Sequence, residues 1–422
     1  MQPLYYVGVL LQARPRLFYG WIVVAVTIPV LMVTAGVRSA PGAWLLPMQG
    51  DLGWSKATLS FAAAIGLIVY GLGGPVSGRL MNRFGVRTVT IISLLLSAGS
   101  MVLSSIVQSQ WQLNIFFGFM SGLATGLVAS VLGATVASRW FVKNRGLVIG
   151  MMGAAVSAGQ LVFFPLLTAW ALSMGWRPAA LILAGVCAVF IVPVLIFMRD
   201  DPGQLGLTAL GEENLGAAPK PEPDKHIMSR ALRSPDFWLL AVTFYICGAT
   251  SNGLVGQHFI PHAVDHGFSE LTAANALALM GAFNFVGTIA SGWLTDRFDP
   301  RKLLLIYYGF RGVSLLFLPF MHDNLGMVAF AVLFGLDYIA TVPPTIALAA
   351  DTFGRWNVGI VYGWIFAAHQ LGAAVAAWVA GIARDSFGDY ALAFFFAGAI
   401  AILGGLMALV IRRRQSAEMA VS

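Results

Sequence analysis

Charge is what this sequence has least of. Asp, Glu, Lys and Arg together make up 10% of its 422 residues, against about 25% in soluble globular proteins. Apolar side chains make up 58%. A chain of this length has room for two or three soluble domains, but too little charge to cover them, so an all-α polytopic membrane protein is expected. Cysteine is nearly absent as well. Cys187 and Cys247 both fall inside apolar segments, read as small core residues, and say nothing about redox compartment. There is no Walker motif, zinc-ligand cluster or nucleophile elbow. ATP hydrolysis, a bound metal, a cofactor and enzymatic chemistry therefore have no support. The glycine-rich runs Gly118–Gly126 and Gly146–Gly159 lie in apolar segments, where small residues let helices approach closely; they are not phosphate loops. The net charge of +7 is spread over short loops rather than gathered on one patch, so nucleic acid is not an expected partner. The first apolar run is too long for a signal peptide and lacks a small-residue cleavage site.

What is present is a series of twelve apolar segments, each near the ~20 residues that cross a bilayer. Their approximate bounds are 18–46, 56–78, 88–107, 111–137, 146–171 and 176–198, then 236–261, 269–294, 302–320, 325–350, 357–381 and 388–411. Between the two sets lies the only long polar stretch. It carries Glu212, Glu213, Lys220, Glu222, Asp224 and Lys225 among prolines and glycines, a composition that suits a flexible linker. The division expected is an N-terminal six-helix bundle over 1–198, a linker over 199–235 and a C-terminal bundle over 236–422. Lys and Arg placement orients the chain. With the N-terminus inside, Lys56, Arg177 and Arg384 fall outside and Arg38 and Arg311 within spans, which leaves 20 of the 25 Lys and Arg on the cytoplasmic side. Arg14 and Arg16, just before the first span, are among these. Both termini are then cytoplasmic, in the inner or plasma membrane.

The two sets repeat one another. Gly78-Arg79-Leu80-Met81-Asn82-Arg83-Phe84-Gly85-Val86-Arg87 returns 214 positions later as Gly292-Trp293-Leu294-Thr295-Asp296-Arg297-Phe298-Asp299-Pro300-Arg301. Gly53-Trp54-Ser55 pairs with Gly267-Phe268-Ser269 at the same offset, and Gly146, Gly150, Gly159, Gly175 and Gly185 match Gly359, Gly363, Gly372, Gly388 and Gly398 at offset 213. A short cationic glycine-led loop between two membrane helices, once per half, resembles the signature of the major facilitator superfamily. The resemblance implies twelve transmembrane helices in two pseudo-symmetric six-helix bundles, a central site and alternating access. It also implies gating roles for Gly78, Asn82, Arg83 and Arg87 and for Asp296, Arg297 and Arg301. Three stretches of the first half are further similar to the monocarboxylate porters and their oxalate/formate-exchanging relatives. These are Gly20-Trp21 with Arg38 deeper in the same span, Tyr70-Gly71-Leu72-Gly73-Gly74-Pro75, and Arg139-Trp140-Phe141-Val142-Lys143-Asn144-Arg145-Gly146. The second half departs from that group. Where monocarboxylate porters carry an Asp and an Arg one turn apart in span 8, this chain has Asn284 and Thr288. Where the oxalate exchangers carry a Lys in span 11, it has His369.

Ionisable groups inside a membrane are costly and are functional candidates by default. Arg38 lies roughly 25 Å along the first helix at 1.5 Å per residue. It either faces the cavity, where its planar fork suits a carboxylate or phosphate, or snorkels to the outer interface. Arg311 and Asp337 lie at similar depths in spans 9 and 10. They form either a structural ion pair or a proton site at Asp337 gated by Arg311. His369 is either a carrier of a coupling proton or a packing histidine. Tyr70, Gln160, Asn252, Gln257, His258, Asn284, Tyr362 and Gln370 are further candidate polar liners, although hydrogen bonds between helices explain such residues equally well.

The leading expectation is a monomeric secondary active transporter of a small organic anion, monocarboxylate-like, by symport or antiport, with protons as candidate coupling ions. A carrier of a larger, less charged solute, such as an aromatic metabolite, a vitamin such as a flavin, or a drug, is favoured by the loss of the span-8 charges. A membrane sensor without transport is the third reading.

Overall fold

The computed structural model describes residues 18–212, 224 and 226–412. Arg14, Arg16, Glu213, Lys220, Glu222 and Lys225 lie outside the described residues. Among the described residues, twelve helices are long and apolar enough to cross a membrane. They are α1 (Tyr19–Leu52), α2 (Lys56–Phe84), α3 (Val86–Ser105), α4 (Gln110–Trp140), α5 (Arg145–Met174) and α6 (Trp176–Phe197), then α7 (Pro235–Asp265), α8 (Glu270–Thr295), α9 (Pro300–Phe317), α10 (Asn324–Phe353), α11 (Val358–Phe387) and α12 (Ala391–Val410). An even number of crossings puts Tyr19, Val410 and the α6–α7 connection on one face, here the linker face. The opposite face is the far face. Several helices run beyond the apolar segments that predict them, most of all α1, α2 and α11, which reach Leu52, Phe84 and Phe387.

The sequence repeat reappears as repeated geometry. Gly53 and Gly267 hold φ of 68° and 86°, a region that glycine enters without a Cβ penalty. The serine two residues on then caps the next helix. Ser55 accepts from the Thr58 amide at 3.2 Å and Ser269 from the Thr272 amide at 3.1 Å. Deeper in the membrane Ser77 donates to the Leu127 carbonyl and Ser291 to the Ala340 carbonyl, both at 2.5 Å. Those acceptors lie where α4 and α10 lose their helical ladder, between Gly126 and Ala129 and between Asp337 and Val342. A broken ladder frees carbonyls in hydrocarbon, and a neighbouring hydroxyl satisfies them. Two seven-residue π-helical segments add further irregularity, Asn114–Met120 in α4 and Ala249–Val255 in α7.

Each set of six packs on itself, and the sets meet along α2 with α11 and α5 with α8. Glycine makes the meeting close. Gly78 faces the Gly359 backbone and Gly146 that of Gly292, and a Cβ added at Gly150 would stand 2.6 Å from the Thr288 carbonyl oxygen. All these contacts lie in the linker-side halves of the four helices. Burial follows the same division. Along α11, Val358–Ile365 is almost wholly buried, whereas Leu371 and Trp378 are 60% and 70% exposed. Along α5, exposure rises from Gln160 onward. The halves are thus joined on the linker side and splayed toward the far side.

The polar linker departs from the flexible chain its composition predicts, because its first part is docked. Leu210 exchanges backbone hydrogen bonds with Trp140, Val142 and Lys143 at 2.8–2.9 Å. Asp200 accepts from the Arg87 amide at 2.8 Å, and Glu212 pairs with Arg355 of the second half at 2.7 Å. A short helix, Ile227–Leu232, precedes α7 and buries Ile227 and Ala231.

Candidate functional site

Arg38 stands on α1 at the level where the splayed region begins. It is half-buried. Its Nη1 donates to the Tyr70 hydroxyl of α2 at 3.1 Å, and its guanidinium carbon lies 5.0 Å from the centre of that ring. Among the described residues, no carboxylate bonds to it. Tyr70 in turn meets the Phe366 ring of α11 edge-on at 5.7 Å, and Gly71 packs against the Gln370 side chain. One cation on α1 is thereby set into an aromatic and amide wall formed by α2 and α11. The snorkelling alternative does not describe this side chain, because its bond runs sideways to a neighbouring helix.

The remaining sequence candidates divide. Gln160 and Gln257 are exposed, and Asn252 and Gln370 half-buried. Asn284 and Thr288 form a neutral bridge. Asn284 Nδ2 donates to Ser157 Oγ of α5 at 2.8 Å, and Thr288 Oγ1 to Asn284 Oδ1 at 3.0 Å. Asn284 therefore ties the halves together, and Thr288 braces it from one turn along the same helix. Tyr362 is a correction. It is fully buried and does not line the splayed region; its ring packs against Phe244 of α7 and Phe366. His258 bonds the Ala377 carbonyl at 2.8 Å, a contact between α7 and α11 within the second half.

Arg311 and Asp337 meet at 2.6 Å with side-chain exposures of 0% and 3%. The guanidinium does more than pair. Nη2 donates to the carbonyls of Asp337 and Tyr338 at 2.7 and 3.1 Å, where α10 breaks, and Nη1 reaches Cys247 Sγ and Thr250 Oγ1 of α7 at 3.1 and 3.3 Å. A cation at the C-terminal end of the half-helix Asn324–Asp337 is also the sign its dipole favours. This geometry pins three helices at an irregular point and leaves the fork no donor for a passing solute.

The duplicated loops form two unequal latches on the linker face. Asp296 accepts from the Gly146 and Leu147 amides at the start of α5, at 2.6 and 2.8 Å. An anion on a helix N-terminus is favoured by both the free N–H groups and the dipole. Asn82 instead donates to the Trp356 carbonyl at 3.3 Å and accepts from Arg139 at 2.6 Å. Arg139 is only 1% exposed and lies 5.6 Å from the Trp356 ring centre. Arg145 adds a pair to Asp351 of α10 at 2.6 Å. The sequence reading singled out neither Arg139 nor Arg145–Asp351 as a site. The one available signal was two arginines at the end of a predicted span facing a loop asparagine. Arg83, Arg87, Arg297 and Arg301 find their partners within their own half or at the start of the linker. They stack on Phe84, bond Asp200 and Leu195, stack on Trp293 and pair with Asp299, respectively. Asp296→Asn is expected to slow transport more than Asn82→Ala. It weakens charge-assisted bonds worth about 1.5–3 kcal/mol, enough to shift a gate roughly ten- to a hundredfold. Initial uptake rates compare the two variants, and equal slowing would contradict unequal latches.

A family model for the Major Facilitator Superfamily matches residues 27–336 and 259–421. The chain belongs to the Major Facilitator Superfamily. Monocarboxylate transporter 13 of Bos taurus is 26% identical over 389 residues, covering 92% of this chain and 88% of that protein. An uncharacterized MFS-type transporter, YcxA, of Bacillus subtilis is 24% identical over 398 residues, covering 90% of this chain and 92% of that protein. Among solved structures, the fold is shared with the Escherichia coli fucose:proton symporter FucP, with a TM-score of 0.73 at 14% identity over 92% of this chain and 98% of that one. It is also shared with the proton:xylose symporter XylE, with a TM-score of 0.70 at 15% identity over 94% and 97%. This Major Facilitator Superfamily chain is a multi-pass membrane transporter of small solutes and not an enzyme.

Proposed function

We propose that this chain is a secondary active transporter of a small organic anion of monocarboxylate type, working by alternating access around Arg38. The observation that carries the reading is the Arg38 guanidinium. It is half-buried within the first span, and among the described residues its one hydrogen bond is to a tyrosine hydroxyl. Among the described residues, no carboxylate balances it. A planar fork with free donors in a low-dielectric cavity suits a carboxylate. The likeness to proteins named monocarboxylate transporters, which extends over most of the chain, supports the same chemistry. In the conformation described, the site opens to the far side while the Asp296, Asn82 and Arg145 contacts hold the linker side shut. Opening those latches and closing the far halves of α2, α5, α8 and α11 would present Arg38 to the other side.

The lysine and arginine distribution supports a cytoplasmic linker face, in the inner or plasma membrane, and a monomer supplies both cavity walls. Arg230→Cys is then expected to resist an impermeant maleimide in intact cells and to react after permeabilisation. The function itself is tested by counterflow of labelled pyruvate and phenylpyruvate in proteoliposomes. Saturable exchange above protein-free vesicles is expected. Tight binding without flux would favour the sensor reading instead.

A further inference from the structure

A chain of side-chain contacts, aromatic at Tyr70, Phe366 and His369, leads from the anion anchor into the core of the second half. His369 of α11 is 7% exposed. Its ring lies 4.7 Å from that of Phe244 and is stacked with that of Phe366 at 6.0 Å and 7°. On the cavity side Phe366 abuts Tyr70, which bonds Arg38. On the core side His369 packs against Gly248 of α7, and the thiol of the neighbouring Cys247 lies 3.0 Å from Thr341 Oγ1 and 3.1 Å from Arg311 Nη1. Among the described residues, His369 Nδ1 has no hydrogen-bond partner. A buried ring nitrogen left unpaired is costly, and such groups in native proteins call for an explanation.

We propose that His369 is the group that carries a proton through the transport cycle, binding it together with the anion on one side and releasing it with the anion on the other. The step is protonation of the free ring nitrogen, neutral imidazole to imidazolium, with the proton drawn from water in the open cavity. Histidine suits this because its charge changes near neutral pH, and ionisable groups within spans mark proton paths. The proposal rests on the anion reading of Arg38 and extends it to coupling.

The surrounding charges give the coupling its sign. From α7, His369 meets Gly248, beside Cys247, with Tyr245 one turn away against Gly372. Behind Cys247 stand Arg311 of α9 and Asp337 of α10, which neutralise each other. From α2 comes Tyr70, and beyond it Arg38 of α1. Tyr362 lies on its own helix. Arg139 of α4 and Asp351 of α10 are held at the linker face by Asn82 and Arg145, and α12 brings no titratable side chain. Among the described residues, the one carboxylate near the imidazole is Asp337, and it is paired with Arg311. An imidazolium there is repelled by Arg38 until an anion neutralises that charge, so anion and proton favour each other's binding, and by linkage to the same degree. Asp337 is not the carrier, because protonating it would strip the counter-charge from the fully buried Arg311.

The test uses the full chain in proteoliposomes with pyruvate and phenylpyruvate as probes. Two fluxes are measured, counterflow without a pH gradient and net uptake driven by an inward proton gradient. His369→Gln is expected to keep counterflow while gradient-driven uptake falls about tenfold or more, the size of a typical coupling between two ligands. Gradient-driven uptake that survives in His369→Gln would overturn the proposal. So would unmodified protein that exchanges the probes but ignores the gradient. Loss of both fluxes in His369→Gln would place His369 in anion binding or packing and equally overturn it. If the unmodified protein moves neither probe, the anion reading fails, and the coupling built on it falls too.

Discussion

Asp337→Ala is expected to cost this chain most of the stability of its second half. The Arg311 guanidinium is fully buried and Asp337 is its only carboxylate partner among the described residues. Removing one member of a buried pair strands the other charge, at about 3–5 kcal/mol, a large share of the ~5–15 kcal/mol that holds a typical domain folded. Arg311→Ala should be worse. It strands the carboxylate and also leaves the carbonyls of Asp337 and Tyr338 without donors at the α10 break, at about 1–3 kcal/mol for each buried group. The double variant Arg311→Met with Asp337→Leu removes both charges, so it should recover the charge penalty but not the carbonyl penalty. Thermal melts and size-exclusion profiles of purified protein rank the four. The expected order is wild type, double variant, Asp337→Ala, then Arg311→Ala. A single variant that melts with wild type would mean that the pair does not pin α7, α9 and α10 as the contacts indicate.

Arg38→Ala is expected to leave the fold intact and to abolish high-affinity binding. Among the described residues the side chain makes one hydrogen bond, to a hydroxyl, so little structure depends on it. The carboxylate it would hold loses a charge-assisted contact worth about 1.5–3 kcal/mol, and affinity should fall roughly ten- to a hundredfold. Arg38→Lys keeps the charge but not the fork, and should recover only part of that loss. Tyr70→Phe removes the hydroxyl that orients the guanidinium and should have a smaller effect of the same sign. Isothermal titration with phenylpyruvate at matched folding distinguishes the three. Unchanged affinity in Arg38→Ala would remove Arg38 from the site.

The twelve spans were legible because apolar length is a one-dimensional property. The repeat was legible because glycine and charge sit at its turns: Gly53 and Gly267, Asn82 and Asp296 stand where local geometry demands them. Arg38 was legible as a charge in hydrocarbon. What the sequence could not convey is which partner each polar group finds. Asn284 and Thr288 read as two missing charges, yet they bridge the halves through Ser157, a residue more than a hundred positions away. Tyr362 read as a liner, but it is buried with its ring against Phe244 of α7. The breaks in α4 and α10 leave no signal in hydropathy, since the freed carbonyls are served by Ser77, Ser291 and Arg311 from other helices. The docked start of the linker depends on Leu210 adding to the backbone at Trp140, which composition does not encode.

The most direct measurement of the central claim compares carboxylates with their neutral amides in counterflow. Proteoliposomes loaded with pyruvate or phenylpyruvate are challenged with the labelled acids and with labelled pyruvamide and phenylpyruvamide. If Arg38 anchors an anion in an alternating-access cycle, the acids exchange saturably, the amides do not, and Arg38→Ala abolishes the difference. Amides that exchange as fast as the acids, or acids that bind without crossing, would contradict the account.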